Sequence, residues 1–322
     1  MHFPVSGVDI NPFIPPLVAF IVSSITSSAG VSGAFLLLPF QMSVLHYISP
    51  SVSPTNLIYN IVAIPGGLYR FIKEKRMAWP LTWVVVVGTL PGVFVGSWIR
   101  IYFLGSEKAF KLFVGCVLLY LGIRLITEFT GKSKNQKAQN KALQQKFKDH
   151  IEKMKAESNN KIAAGLPVDA IVKTKSFSLK KIEYEFWGET YSFSTMAIFI
   201  LALVVGLIGG VYGIGGGAII APFCVSILQL PVYTVAGAAL AGTFITSIAG
   251  VIFYTLLATT SIGATTNVSP DWLLGTMFGV GGLLGTYCGA YTQKFLKEQY
   301  VKGIMAVLVL FLALKYVIGF FF

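Results

Sequence analysis

Two glycine-rich breaks interrupt apolar runs of this chain, and each is followed by a proline. The first break lies within residues 27–40 and the second, about 183 residues further on, within residues 210–223. Half-helices that end at such a break direct backbone N–H groups and positive dipole ends toward it, which stabilises an anion without a buried cation. The candidate site residues at the two breaks are Gly30, Ser32, Gly33, Gly213, Gly215, Gly216 and Gly217.

Polar side chains occupy the apolar segments that follow the breaks. Asn56 and Asn60 share one face of a predicted helix, as do Thr243 and Thr246 in the second half, and the repeat aligns Asn60 with Thr243. Amides and hydroxyls donate hydrogen bonds to anionic oxygens. Threonine hydroxyls often bond back to their own helix, whereas an asparagine in lipid needs a partner. We therefore predict all four as substrate contacts, with the asparagines the stronger candidates.

Charged residues near the apolar segments lie toward the segment ends, where snorkelling of the side chain to the interface accounts for them. They are Arg100, Arg124, Glu128, Asp271 and Lys315. Among these, Arg100 is a candidate outer guide for anions. No His, Cys or carboxylate cluster with metal-ligand spacing occurs in the sequence, so we predict neither a metal site nor a cofactor.

The small residues allow two other interpretations. Gly88, Gly92 and Gly96 are spaced as in a close-packed helix seam, and packing is the favoured explanation for them. The segment from Gly30 to Gly33 has the GxSG form of intramembrane serine proteases, but Ser32 aligns with Gly215, so the two breaks share small size rather than a hydroxyl. We predict that the chain is not an enzyme.

The elements that position these residues are apolar helices. The chain is 55% hydrophobic and 12% charged, with a mean hydropathy of +0.73, and its continuous apolar runs suit a hydrocarbon core about 30 Å thick. This predicts an all-α polytopic membrane protein with Gly-broken helices. The ten apolar segments are 13–29, 33–48, 54–72, 80–103, 108–129, 191–210, 214–230, 232–260, 270–293 and 299–321.

Charge distribution predicts the topology. The net charge is +12, and thirteen lysines fall between Lys132 and Lys181. Basic loops mark the cytoplasmic side of the plasma (inner) membrane and contact anionic lipids, whereas the aromatic–basic interleaving of a nucleic-acid site is missing. We therefore predict two inverted repeats, 1–130 and 191–322, joined by a small cytoplasmic insertion, 131–190, that contains a helix and a hairpin.

The break motif resembles that of the TauE/SafE sulfite exporter family. The resemblance rests on Gly213, Gly215, Gly216, Gly217 and Pro222, with Gly30, Ser32, Gly33 and Pro39 as their first-half counterparts. It implies a secondary or passive transporter that exports sulfite, organosulfonates or related anions. A regulatory or scaffold protein acting through the insertion and a transporter of another solute are the alternatives. The anion, the direction, any coupling ion and homo-oligomer formation stay open.

Overall fold

The computed structural model describes residues 1–28, 32–73, 77–129, 172–186, 189–217, 219–226, 228, 230, 232–260, 266–292 and 298–321. In the first half the helices are α1 (Ile14–Ser28), α2 (Ala34–Ser43), α3 (Val52–Ala63), α4 (Pro65–Lys73), α5 (Trp79–Tyr102) and α6 (Glu107–Phe129). In the second half they are α7 (Thr195–Tyr212), α8 (Ile220–Ser226), α9 (Val232–Ala258), α10 (Trp272–Thr292) and α11 (Glu298–Phe321). The prediction of a predominantly helical protein is confirmed.

Three of the described helices are long and apolar enough to cross a bilayer. They are α5, α7 and the Thr234–Ala258 part of α9. With 24 residues, α5 extends about 36 Å. The helices after the two breaks are much shorter, with 10 residues in α2 and 7 in α8, and neither could span a hydrocarbon core alone. The predicted segment 54–72 divides into α3 and α4 at Pro65.

The long helices pack in pairs drawn from opposite halves of the chain. Helix α1 lies along α10, α5 along α7 and α6 along α11, while α3 contacts α9 and α10. In the α5–α7 pair, a Cβ atom added at Gly92 or Gly96 would clash with the carbonyl oxygens of Leu203 and Leu207. This confirms that the glycine spacing from Gly88 to Gly96 serves close helix packing, and the two helices run in the same direction.

A small antiparallel sheet precedes α7. It consists of β3 (Lys173–Phe177), β4 (Lys181–Phe186) and β5 (Glu189–Ser194), with β4 in the centre. Alternate residues of β4, Ile182, Tyr184 and Phe186, are buried, which confirms the predicted hairpin and adds a third strand. The helix predicted in the insertion lies outside the described residues. Because β5 continues directly into α7, the sheet is anchored to the helical part of the molecule.

A short hairpin of β1 (His2–Phe3) and β2 (Val8–Asp9) precedes α1. Phe3 is fully buried. The carboxylate of Asp271, just before α10, accepts hydrogen bonds from the backbone N–H (3.1 Å) and the hydroxyl (2.7 Å) of Ser6. Asp271 also accepts one from the backbone N–H of Leu274 (3.0 Å), and it is 2% exposed. The prediction that this carboxylate snorkels to the interface is therefore wrong, because it joins the hairpin to α10.

Candidate functional site

The second break begins where two left-handed glycines turn the chain out of α7. Gly213 has φ +81° and Gly215 has φ +75°. The N–H of Gly213 donates to the carbonyl of Gly209 at 2.8 Å and so closes the last turn of α7. A Cβ atom at Gly213 would lie 2.7 Å from the Cα atom of Ser53 in α3. Glycine is needed here for both its backbone conformation and its size.

Side chains of α3 and α9 satisfy the backbone carbonyls at the end of α7. Three donors come from α3 at 3.0 Å each: the Ser53 hydroxyl to Val211, the Asn56 amide to Gly213 and the Asn60 amide to Ile214. The fourth is the Tyr254 hydroxyl of α9, which donates to Gly210 at 3.1 Å. Buried carbonyls without such partners would be costly, so these side chains hold the broken backbone in place.

The same asparagines reach the first break. The amide nitrogen of Asn56 donates to the carbonyl of Ala34 (3.0 Å) as well as to that of Gly213. The amide oxygen of Asn60 accepts from the hydroxyl of Ser32 at 3.2 Å. A separate link runs from the Tyr212 hydroxyl to the carbonyl of Phe35 at 2.8 Å. The two breaks, remote in sequence, therefore meet at one place beside α3.

The first break is enclosed tightly where it is described. A Cβ atom at Gly33 would lie 3.0 Å from the hydroxyl of Ser23 and closer still to that of Tyr59. These two hydroxyls are hydrogen-bonded to each other at 2.7 Å. Gly30 lies outside the described residues. Ser32 and Gly33 therefore lie against α1 and α3.

The second break has hydrogen-bond donors left over. The N–H of Gly216 donates to the hydroxyl oxygen of Thr246 at 3.0 Å. Within the described residues, the N–H groups of Gly215 and Gly217 have no hydrogen-bond partner. Nor does the buried Ser247 hydroxyl, which would lie 2.9 Å from a Cβ atom at Gly215. A small group that accepts hydrogen bonds fits this chemistry.

All four polar side chains predicted as substrate contacts form hydrogen bonds within the protein; that of Thr246 donates to the carbonyl of Gly242 at 2.6 Å. Thr243 is buried against Gly215 and Gly217, but its hydroxyl donates to the carbonyl of Ala239 in its own helix at 2.9 Å. For Asn56, the amide nitrogen bonds two carbonyls and the amide oxygen accepts from the amide of Gln41 at 3.2 Å. In this arrangement Asn56 therefore positions the breaks.

Comparison with known proteins identifies the family. The family model for the sulfite exporter TauE/SafE matches residues 16–316, which include both breaks and the small sheet. The chain belongs to the TauE/SafE sulfite exporter family. It is also 21% identical, over 222 residues and 67% of each chain, to the probable membrane transporter protein YunE of Bacillus subtilis (strain 168). No solved structure matches it.

Membership of the TauE/SafE family confirms the resemblance inferred from the break motif. This family and the apolar helices identify an integral membrane protein of a transporter family. Sequence reasoning did not single out Ser53, Tyr212 and Tyr254, although all three bond the backbone at a break. Only Ser53 had a local signal, because it lies one helical turn before Asn56 on the same face of α3.

Arg100 of this TauE/SafE family member is buried within the protein. Its side chain is 0% exposed, so the prediction that it snorkels is wrong. One terminal nitrogen donates to the carbonyl of Ile48 at 3.0 Å and the other to that of Leu104. The guanidinium carbon lies 3.6 Å from the centre of the Phe110 ring. The chain therefore holds a buried cation at the end of α5, which sequence reasoning had placed near water.

Proposed function

We propose that this chain is a secondary or passive transporter that exports small sulfur-containing anions, such as sulfite or organosulfonates, across the inner membrane. The observation that carries the proposal is the joining of the two breaks by one side chain, because the Asn56 amide donates to both Ala34 and Gly213. Broken helices near the bilayer midplane are the usual place for a transporter's substrate.

The proposed binding groups are the unpaired donors of the second break. They are the N–H groups of Gly215 and Gly217 and the hydroxyl of Ser247, which together can surround the oxygens of a sulfite or sulfonate group. Gly30, Ser32 and Gly33 would line the site from the first half. Thr243 and Thr246 would shape its other side by holding the glycine loop against α9.

We further propose that the chain consists of two inverted repeats, 1–130 and 191–322, with residues 131–190 in the cytoplasm. Helix packing supports this proposal. If α1 corresponds to α7 and α10 corresponds to α5, the α1–α10 pair in one arrangement matches the α7–α5 pair in the other. The glycine contacts support the same exchange of halves. Gly92 meets Leu203 as Gly285 meets Phe20, so the two glycines correspond.

Export of an anion needs no coupling ion. A monovalent anion that leaves a cell with an inside-negative potential of 100 mV gains about 2.3 kcal/mol. The direction of transport then follows from the membrane potential. This agrees with a site built from backbone N–H groups and hydroxyls, which needs no carboxylate to carry a proton.

The test is efflux from liposomes that contain the purified protein. Vesicles loaded with sulfite, thiosulfate, sulfoacetate or taurine are given an inside-negative potential, and efflux is compared with that of empty vesicles. Gly215→Leu should abolish efflux, since its side chain would collide with Thr243 and Ser247. Thr259→Ala is the matched control, because that exposed hydroxyl bonds the carbonyl of Leu256 in the last turn of α9. Efflux no faster than that of empty vesicles for every anion refutes the proposal.

A deletion separates transport from the scaffold alternative. Removing residues 135–170 takes away most of the basic insertion but leaves the described sheet, whose first strand begins at Lys173. A transporter should keep its efflux rate after this deletion. Loss of efflux in a variant that still folds would favour a function located in the insertion.

A further inference from the structure

Arg100 lies near the end of α7, where the chain enters the second break. Helices α5 and α7 run parallel, and Gly96, one turn before Arg100, packs against the backbone of Leu207 and Val211. In the last turn of α7, the carbonyl of Gly210 accepts a hydrogen bond from the hydroxyl of Tyr254 in α9. The glycine loop of the second break packs against α5 about three turns before Arg100, because a Cβ atom at Gly216 would meet the side chain of Thr89.

The charge of Arg100 has no anionic partner in the described part of the chain. Its hydrogen-bond acceptors are the carbonyls of Ile48 and Leu104, and its Nε–H is buried without a partner. A guanidinium carries five N–H donors, so these two bonds leave donors available. The carboxylate of Asp271 is occupied by Ser6 and Leu274 instead.

A fully buried guanidinium with only neutral acceptors is an expensive arrangement. Carbonyl dipoles and the face of the Phe110 ring offset part of the cost of removing the charge from water. Capping the end of α5 does not require a full charge, because a neutral amide could donate to the same carbonyls. In a medium of low dielectric constant the remaining positive potential attracts anions and repels cations.

We infer that Arg100 is a fixed charge that binds and selects an oxyanion near the end of α7. This inference rests on the proposed function for the identity of its ligand, a sulfite or sulfonate group of charge −1 or −2. The planar guanidinium matches two oxygens of such a group. A neutral solute of similar size would gain nothing from the charge, so Arg100 would distinguish anions from neutral compounds.

The test is anion binding, measured separately from transport. Thermal unfolding of the detergent-purified protein is followed while sulfite, thiosulfate or methanesulfonate is titrated at constant ionic strength, with dimethyl sulfone as the neutral probe. The wild type should be stabilised by the anions and not by the sulfone. Arg100→Gln should need about tenfold or more of each anion for the same stabilisation, because a charge-assisted contact is lost.

A second arginine provides the matched control. The guanidinium of Arg124 also lies over a ring, 4.9 Å from the centre of Phe223, and donates to the Tyr120 hydroxyl at 3.2 Å. Arg124→Gln should bind anions as the wild type does. If Arg100→Gln does not fold, Arg100→Lys decides: it should keep the preference for anions over the sulfone with weaker affinity, and unchanged affinity overturns the inference.

The outcomes separate this inference from the proposed function. Anions that bind through Arg100 but do not cross the membrane in the efflux assay support the inference and refute the transport proposal. Efflux by the wild type, together with unchanged anion affinity in Arg100→Gln, supports the transport proposal and overturns the inference. If no anion stabilises the wild type, or if Arg124→Gln weakens binding as much as Arg100→Gln, the inference is overturned.

Discussion

Replacing Asn56 with alanine tests the idea that this side chain joins the two breaks. The change would remove the donor for the carbonyls of Ala34 and Gly213 and the acceptor for the amide of Gln41. Each buried polar group left without a partner costs about 1–3 kcal/mol, so three groups amount to about 3–9 kcal/mol before relaxation. Water that enters the vacated space would recover part of this cost. We therefore expect Asn56→Ala to lower the free energy of unfolding by about 3–5 kcal/mol.

Two further variants separate hydrogen bonding from packing. Asn56→Asp keeps the shape of the side chain but replaces both N–H donors with a carboxylate oxygen, so it should destabilise the protein at least as much as alanine. Asn60→Ala removes the donor for one carbonyl, that of Ile214, and a partner of the Ser32 hydroxyl. Asn60→Ala should therefore lower the free energy of unfolding by less, about 1–3 kcal/mol.

The assay is unfolding of the purified protein in mild detergent, by heat and by SDS titration, with tryptophan fluorescence as the signal. Thr259→Ala, whose exposed hydroxyl bonds the carbonyl of Leu256, should leave the free energy of unfolding unchanged. A loss below about 1 kcal/mol for Asn56→Ala would be incompatible with two buried carbonyls losing their donors. An Asn56→Asp variant as stable as the wild type would also contradict this reasoning.

Three further predictions follow from single contacts. Gly92→Ala should lower the free energy of unfolding by about 1–3 kcal/mol, because its methyl group would meet the carbonyl of Leu203. Gly319→Ala is the control in the same thermal scan. It should be neutral or stabilising, because no neighbour lies within 4 Å of the added methyl group. Gly215→Ala should cut anion efflux while the protein still elutes as a folded species, because φ is +75° at that position. Burial raises the pKa of the Tyr184 hydroxyl, so its contribution to stability should be fully present below about pH 10 and should fall as the pH rises further. In a pH series of melting temperatures, Tyr184→Phe should make the alkaline loss smaller than in the wild type.

Local patterns made part of the fold predictable. The apolar runs indicated helices, and the alternation of Ile182, Tyr184 and Phe186 indicated a strand with one buried face. Both patterns work because a helix or a strand repeats its buried face at a fixed spacing along the chain. The glycine-rich breaks were visible for a similar reason, since glycines at φ +81° and +75° mark a backbone that other residues rarely adopt.

Hydrogen-bond partners across the fold could not be predicted in this way. Asn56 and Gly213 are separated by 157 residues, and Asn60 and Ile214 by 154. Sequence reasoning placed the asparagines at the site but assigned their donors to an anion. In the structure the donors of Asn56 are used by carbonyls, because α3 lies against the end of α7, and no periodicity within α3 contains that information.

The sequence alone therefore determined the class of the molecule, the positions of the two breaks and the family to which they belong. Tertiary structure decided which groups remain available to a ligand. Arg100 and Asp271 show the difference most clearly: both lie near the ends of apolar segments, where sequence predicts exposure, yet both are buried. Burial of a side chain depends on the neighbours that helix packing places around it, and those neighbours come from distant parts of the chain.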